Sequence, residues 1–377
     1  SRPCGEAVSQ MLPFYADKWG APTQPHQLGQ AVILPIREAL KHIYALLGAS
    51  HEDAVIVTSC SAESVMQAYL STYEEMTLTE GKNHFIGSSV DEAASLLALG
   101  RMERLGCPVT KIKPNASGIL SPAEIVDAIT PRTAFVSLSM GNGLTGVVQP
   151  VAEIAEICAL RGIRLLVDAT HVLGKLYFDL QKIPLSYLAF NGPQIQGPEG
   201  TGGLYIRKGF KTTALIPGGT EQGGLRGGTV NVPGIIGLGA AAKIALEARD
   251  YLCTEVARLK YHFERQVLKR VPSAKVLFEE EERLPHITAI AFPGVVNEAL
   301  LYLLNRKGVC AGIGGGSLVQ ISYLLEACGF PSDVTQSAIS FSLSKETTEE
   351  ELDLAAEMIA ASVNKLLKAS QGLLHGL

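Results

Sequence analysis

Asp168 closes an apolar run, Ile163 to Val167, and is followed by Ala169, Thr170 and His171. A carboxylate at the carboxyl end of a strand in an α/β sheet stands where such sheets bind ligands. It could hold a pyridine nitrogen protonated, making a bound ring an electron sink for carbanion chemistry. It could equally cap a helix or pair with a neighbouring Lys or Arg, and spacing alone leaves both uses open. A second candidate is Gly141-Asn142-Gly143-Leu144-Thr145-Gly146, which matches GxGxxG after a strand, with Asp168 some way on. That is the form of a dinucleotide fingerprint, and a nicotinamide (NAD-type) or flavin oxidoreductase is therefore one reading. The fingerprint needs a helix N-terminus at its glycines. Here Pro150 is the better helix start, which leaves the glycines too early. The seven cysteines are scattered and odd in number, and none forms CxxC. They read as reduced thiols and not as a disulfide framework or a zinc site.

These residues need a scaffold, and the 377-residue chain is long enough for a large domain and a smaller one. With 47% hydrophobic and 18% charged residues it is a globular sequence. Lys+Arg 32 against Asp+Glu 37 leaves a net charge of −5, with no basic surplus for nucleic acid. Residues 133–152 carry no charge, but Asn142, Gln149, Pro150 and glycines interrupt them, so no membrane span is expected. The opening SRPCGEAVSQ has no apolar run of a signal peptide, and a cytoplasmic protein is expected. Short strands at 54–58, 85–89, 133–140, 163–168 and 203–207 alternate with helical stretches, which predicts a mostly parallel sheet covered on both faces. Pro35 suits a first turn, so the helix ending at Gly48 is expected to start near Leu34. After about 232 the pattern changes: a long helical stretch to about 270, strand 287–292, helices 297–307 and 317–327, strand 338–343, and a last helix from 348. Thr347 is the expected cap of that helix.

Six stretches carry a resemblance: VIVTSCSAES, GVVQPVAEIAEIC, IRLLVDATHVLGKLYFDL, YLAFNGPQIQGPEGTGGLYIRKG, IPGGTEQGGLRGGTVNVPGIIGLGAAAKIA and SAISFSLSKETTEEELD. Together, in order from about residue 5 to 368, they resemble the cysteine desulfurases, fold-type I pyridoxal-phosphate enzymes of the class V aminotransferase group. The resemblance implies an α/β fold of fold-type I. Its large domain, residues 15–245, would hold a mixed, mostly parallel seven-stranded sheet. A smaller α+β C-terminal domain, 246–377, would be joined by residues 1–14. It further implies pyridoxal 5'-phosphate, a homodimer and a sulfur-transfer protein partner. The family's usual first strand would precede the start of this sequence.

Position by position the resemblance is uneven. Asp168 matches the Asp that pairs with the pyridine nitrogen, and His171 falls where a Gln stands near the phenolic oxygen. Thr229 and Arg226 match the block whose Thr reaches the phosphate of the neighbouring subunit's cofactor. Ser61, in Cys60-Ser61-Ala62, stands in for the missing Thr of the phosphate turn. The block that should read Ser-Gly-His-Lys reads Asn191-Gly192-Pro193-Gln194, and Gln194 has no amine to form an imine. The ring-stacking His falls at Glu92, and the Asn-Asn-Glu-Thr-Gly block becomes Asn142 to Gly146. The substrate-binding Arg falls at Ser340. The nucleophilic Cys falls at Gly314 in GIGGGS, leaving Cys310 as the fallback thiol. The expectation is a desulfurase-like protein with lost or altered activity. The cofactor-binding candidates are Asp168, His171, Ser61, Asn191, Gln194 and Thr229, and the alternative is an active sulfur-transfer enzyme whose cofactor is held without a covalent bond by Asp168, Thr229 and His171.

Overall fold

The computed structural model describes residues 2–315 and 318–374. The chain divides into two compact units. The first comprises Ser1–Ile112, Pro122–Met140 and Pro150–Arg249; the second comprises Lys113–Ser121, Gly141–Gln149 and Asp250–Leu377.

The first unit is built on a seven-stranded sheet: β1 (Ala54–Thr58), β2 (His84–Ser88), β3 (Val109–Ile112), β4 (Thr133–Ser139), β5 (Arg164–Asp168), β6 (Tyr187–Asn191) and β7 (Gly202–Ile206). Their order is β1-β7-β6-β5-β4-β2-β3. The pairs from β6 to β3 are parallel, and β7 runs antiparallel to both its neighbours. This is the mixed, mostly parallel fold-type I sheet. β2, β4 and β7 are buried at every position, as strands covered on both faces must be. On one face Tyr69 meets Phe135 edge-on at 4.7 Å and stacks with Phe85 at 6.1 Å, and its hydroxyl bonds Ser137 inside the core. Burying each such ring stabilises the unit by about 1.5–3 kcal/mol.

The free edge of β1 is closed by a side chain. Gln222 accepts from Val57 N–H at 2.6 Å and donates to Val57 C=O at 2.8 Å, so one amide imitates a neighbouring strand. Gly227 crosses Gly218 so closely that a Cβ would lie 2.5 Å from the Gly218 nitrogen, which fixes glycine there. Near the N-terminus, Cys4 N–H donates to Gln196 C=O at 2.9 Å, and Met11 packs on Gly237.

The helix expected from Leu34 begins instead at Gln27 and runs to Leu47, with Pro35 inside it. His26 caps it by accepting from Gly29 N–H, and Gly48, at φ 65°, ends it in the left-handed region. An interior proline costs about 3 kcal/mol. Burial of Val32 before it and of Ala39, Ile43, Leu46 and Leu47 after it holds the helix through that cost.

In the second unit, a three-stranded antiparallel sheet of β8 (Lys275–Val276), β9 (Ile287–Ala291) and β12 (Ala338–Ser342) is ordered β12-β9-β8. Between β9 and β12 in sequence lies a small hairpin, β10 (Gly314–Gly315) with β11 (Val319–Gln320). The helix expected over 317–327 therefore starts only at Ile321. The last helix, Glu349–Leu374, is capped by Thr348 and not by Thr347. Thr348 Oγ1 accepts from Glu351 N–H while Glu351 accepts from Thr348 N–H, a reciprocal capping box. Thr347 accepts instead from Ser344 N–H in the preceding turn.

Glu264 is fully buried here. Its carboxylate accepts from Arg283 Nη1 at 2.7 Å and from Thr288 Oγ1 at 2.6 Å. Removing one partner of a buried ion pair strands the other charge. Glu264→Gln is therefore expected to lower stability by about 3 kcal/mol, read from the midpoint of urea unfolding. An unchanged midpoint would show that Arg283 finds a second anion.

Candidate functional site

β1, β2, β4, β5 and β6 all point the same way, so their last residues, Thr58, Ser88, Ser139, Asp168 and Asn191, line one edge of the sheet. The parallel register sets Ser139 opposite Asp168, and Asp168 opposite Ala189.

Asp168 is buried, and its Oδ1 accepts from Thr170 N–H at 2.9 Å. Burial raises its pKa most, Thr170 opposes that rise, and Glu92 adds to it while His171 subtracts; the result is upward. His171 Nε2 meets Glu92 Oε1 at 3.2 Å, with the two side chains 21% and 26% exposed. Glu92 is the residue before the helix Ala93–Arg104, where an anion is favoured by the free N–H groups. Asp91, next to it, is buried; its Oδ1 accepts from Ser139 N–H at 2.8 Å and from Ser139 Oγ at 2.5 Å. Its Oδ2 has no hydrogen-bond partner. Burial, helped by Asp168 and Glu92 and opposed by Ser139, pushes the Asp91 carboxyl up to about 7. Asp91 escaped the sequence reading; nothing in its local sequence marks it, since its role comes from β4.

At the end of β6, Asn191 Nδ2 donates to Gln194 Oε1 at 3.0 Å. Gln194 sits in the short 3₁₀ turn Gly192–Ile195. Gly192 is packed so tightly on Thr201 that a Cβ would lie 2.1 Å from its Oγ1. Ser61 is the first residue of the helix Ser61–Thr72, with Cys60 in extended conformation before it. The turn is tied down by Thr58 Oγ1 donating to Cys60 C=O at 3.0 Å and by Ser59 N–H donating to Glu63 at 2.7 Å. Cys60 also backs onto Gly202, where a Cβ would come within 2.7 Å of the Cys60 carbonyl carbon. Buried Glu63 is raised by burial, but its bonds to Arg226, at 3.0 Å, and Ser59 prevail and lower its pKa. Arg226 thus anchors the segment that carries exposed Thr229.

The first unit therefore holds Ser61, Glu92, Asp168, His171, Asn191, Gln194 and Thr229. Contacts join His171 to Glu92 and Asn191 to Gln194. Cys310 and Ser340 belong to the second unit. Cys310 is an exposed thiol. Ser340 is buried in β12, where its N–H donates to Gly312 C=O at 2.8 Å and its C=O accepts from Gly312 N–H at 2.9 Å. Gly314 has φ 114°, and a Cβ there would lie 2.0 Å from Val319 C=O. The β10–β11 hairpin thus leaves no room for a side chain at position 314, where the resemblance places the nucleophilic cysteine. Gly316 and Ser317 of the GIGGGS segment lie outside the described residues. The Gly141–Gly146 segment is a turn: Asn142 Oδ1 accepts from Leu144 N–H and Thr145 N–H, each at 2.9 Å, and Gly141 pairs with Val148. The next helix starts at Val151 with Pro150 as its cap, so the glycines do not open it, as a dinucleotide site requires.

The Aminotransferase class-V family profile matches residues 1–354. A protein named cysteine desulfurase from Sinorhizobium fredii is 35% identical over 365 residues, 96% of this chain and 94% of its own length. The Azotobacter vinelandii protein named cysteine desulfurase NifS is 33% identical over 369 residues, 97% of this chain and 91% of its own. A solved structure described as a NifS-like protein superposes with a TM-score of 0.90 at 28% identity, covering 97% of both chains.

The Asp91 carboxyl gives a pH signature. Its folded value near 7 lies above the ordinary carboxylate value, so the folded chain keeps a proton that the unfolded chain releases. The stability this contributes is complete below about pH 4 and is lost as pH rises towards 7. Asp91→Asn keeps the acceptor for Ser139 and removes the loss. Relative to its effect at pH 5, the variant is expected to gain about 2.5 kcal/mol at pH 8, read by denaturant titration at both values. Equal shifts would show that Asp91 is ionised throughout.

Proposed function

The chain belongs to the aminotransferase class-V family, and from that premise we propose that it is a cysteine desulfurase-like protein whose imine-forming and persulfide-forming steps are lost or altered. The observation that carries this is Gln194. The position that would need an amine holds an amide, already engaged with Asn191. Changes elsewhere agree with it. Position 314 has no room for a thiol-bearing side chain, and Ser340 offers no cation to a substrate carboxylate. Losing a covalent or electrostatic group lowers rates by roughly 10²–10⁴-fold each, so desulfurase turnover at a useful rate is not expected.

Members of this family use pyridoxal 5'-phosphate, and the first unit suits such a group without a covalent bond. Asp168 is a buried acceptor for a ring nitrogen, with one oxygen already held by Thr170 N–H. Ser61, at the start of a twelve-residue helix, offers a phosphate a hydroxyl and free backbone N–H groups. His171 would donate to a phenolic oxygen, Asn191 and Gln194 would face the ring's reactive side, and Thr229 would serve the phosphate of a second subunit. When bound, the group supplies an electron sink for carbanion chemistry. The protein would then act as a homodimer that binds ligand or a sulfur-transfer partner. Among the described residues no helix is long and apolar enough to cross a membrane.

The test is the absorbance spectrum of the purified chain after addition of pyridoxal 5'-phosphate and desalting, followed by cysteine. The expected result is no band that titrates as an imine and no alanine. An imine band, or alanine released from cysteine, would overturn the proposal.

A further inference from the structure

Four titratable groups meet at the ends of β2, β4 and β5: Asp91, Glu92, Asp168 and His171. One imidazole pairs with Glu92 and lowers the pKa of Asp168. Electrostatics tie the group together, because Glu92 disfavours the charged form of both Asp91 and Asp168. Asp91 Oδ2 is buried with no hydrogen-bond donor. On the β6 side, Gln194 brings a carbonyl oxygen where a cation would otherwise stand, and Asn191 engages it with a single hydrogen bond. A carbonyl oxygen can accept a second. Around Glu92 and Gln194 the named side chains are therefore mostly acceptors.

That inventory sorts the forms of a phosphorylated pyridine ligand. The aldehyde form presents an oxygen with lone pairs and is held in place by an amine from the protein. Gln194 supplies none, and the Glu92 carboxylate repels the oxygen. The amine form carries its own nitrogen as an ammonium, which needs acceptors and a compensating negative charge. Glu92 and the Gln194 carbonyl are both of that kind.

We propose that this site takes the phosphorylated pyridine ligand in its aminomethyl form in preference to its aldehyde form, with Glu92 as the residue that selects the ammonium. The inference rests on the reading above that this sheet edge is the cofactor site. It adds which chemical form the site accepts. Glu92 plays this part through charge, and His171 orients it.

The experiment is calorimetric titration of the full chain with pyridoxamine 5'-phosphate, with pyridoxal 5'-phosphate, and with pyridoxine 5'-phosphate as an uncharged hydroxymethyl control. The amine form is expected to bind at least about tenfold more tightly than either of the others. Glu92→Gln should reduce the preference to about twofold. His171→Asn, which keeps the carboxylate but removes the group that orients it, should reduce the preference by less than Glu92→Gln does. Thermal melting of each variant confirms that it is folded. Equal or tighter binding of the aldehyde form, or a preference that survives Glu92→Gln, overturns the inference. So does failure of all three compounds to bind, which leaves the lost-chemistry reading intact. That reading fails on the separate observation of an imine band or of alanine release.

Discussion

The arrangement of the first unit depends on burying a carboxyl group at the end of a central parallel strand. Asp168 cannot leave the interior, because β4 and β6 flank it in register. A buried carboxylate costs several kcal/mol unless it is bonded or neutralised. The chain meets that demand locally: Thr170 N–H turns back to Oδ1, and His171 follows within reach of Glu92. The same edge repeats the problem at Asp91, where Ser139 satisfies one oxygen and leaves the other bare. Two buried carboxyls in one electrostatic neighbourhood push each other towards the protonated form. The edge is thus strained in charge even though its backbone is regular.

The architecture was legible in the sequence because it is written in long patterns. Apolar runs of strand length, separated by helical periods, define a covered parallel sheet whatever the individual residues are. Local punctuation was less legible. Pro35 looked like a helix start because proline is poor inside a helix, and a buried face spanning it outweighed that rule. Thr347 and Thr348 offer the same hydroxyl, and only the reciprocal bond with Glu351 decides which one caps. The helix expected from 317 yields to the β10–β11 hairpin because Gly314 accepts a backbone angle that a helix does not use.

The site was legible one residue at a time and not as a set. That position 194 carries an amide and no amine can be read from the sequence, but its bond to Asn191 cannot, since that depends on the turn Gly192–Ile195. The Glu92 to His171 contact joins residues far apart in sequence through the ordering of β2, β4 and β5, and no local pattern announces it. Asp91 is invisible for the same reason. A charge network assembled from several strand ends belongs to the sheet, and the sequence lists its members without joining them.

The residues of this edge differ in how strongly the fold constrains them. The Glu63–Arg226 pair, the Gln222 bonds to β1 and the close approach of Gly202 to Cys60 are each coupled to buried backbone. Substituting any of them disturbs the sheet itself. Gln194, Glu92 and His171 are only partly buried at the open edge, so their side chains can change with little effect on folding. Selection for stability alone would therefore preserve the scaffold and leave these three free to drift. Yet Glu92 and His171 form a specific pair, and the carboxylate raises the charge strain on Asp91 and Asp168. Drift relieved of function would be expected to discard such a carboxylate, because a neutral residue there would lower that strain. On the reading proposed above, the positive charge of a bound ligand would offset the strain that the His171 pair alone leaves on Asp91 and Asp168.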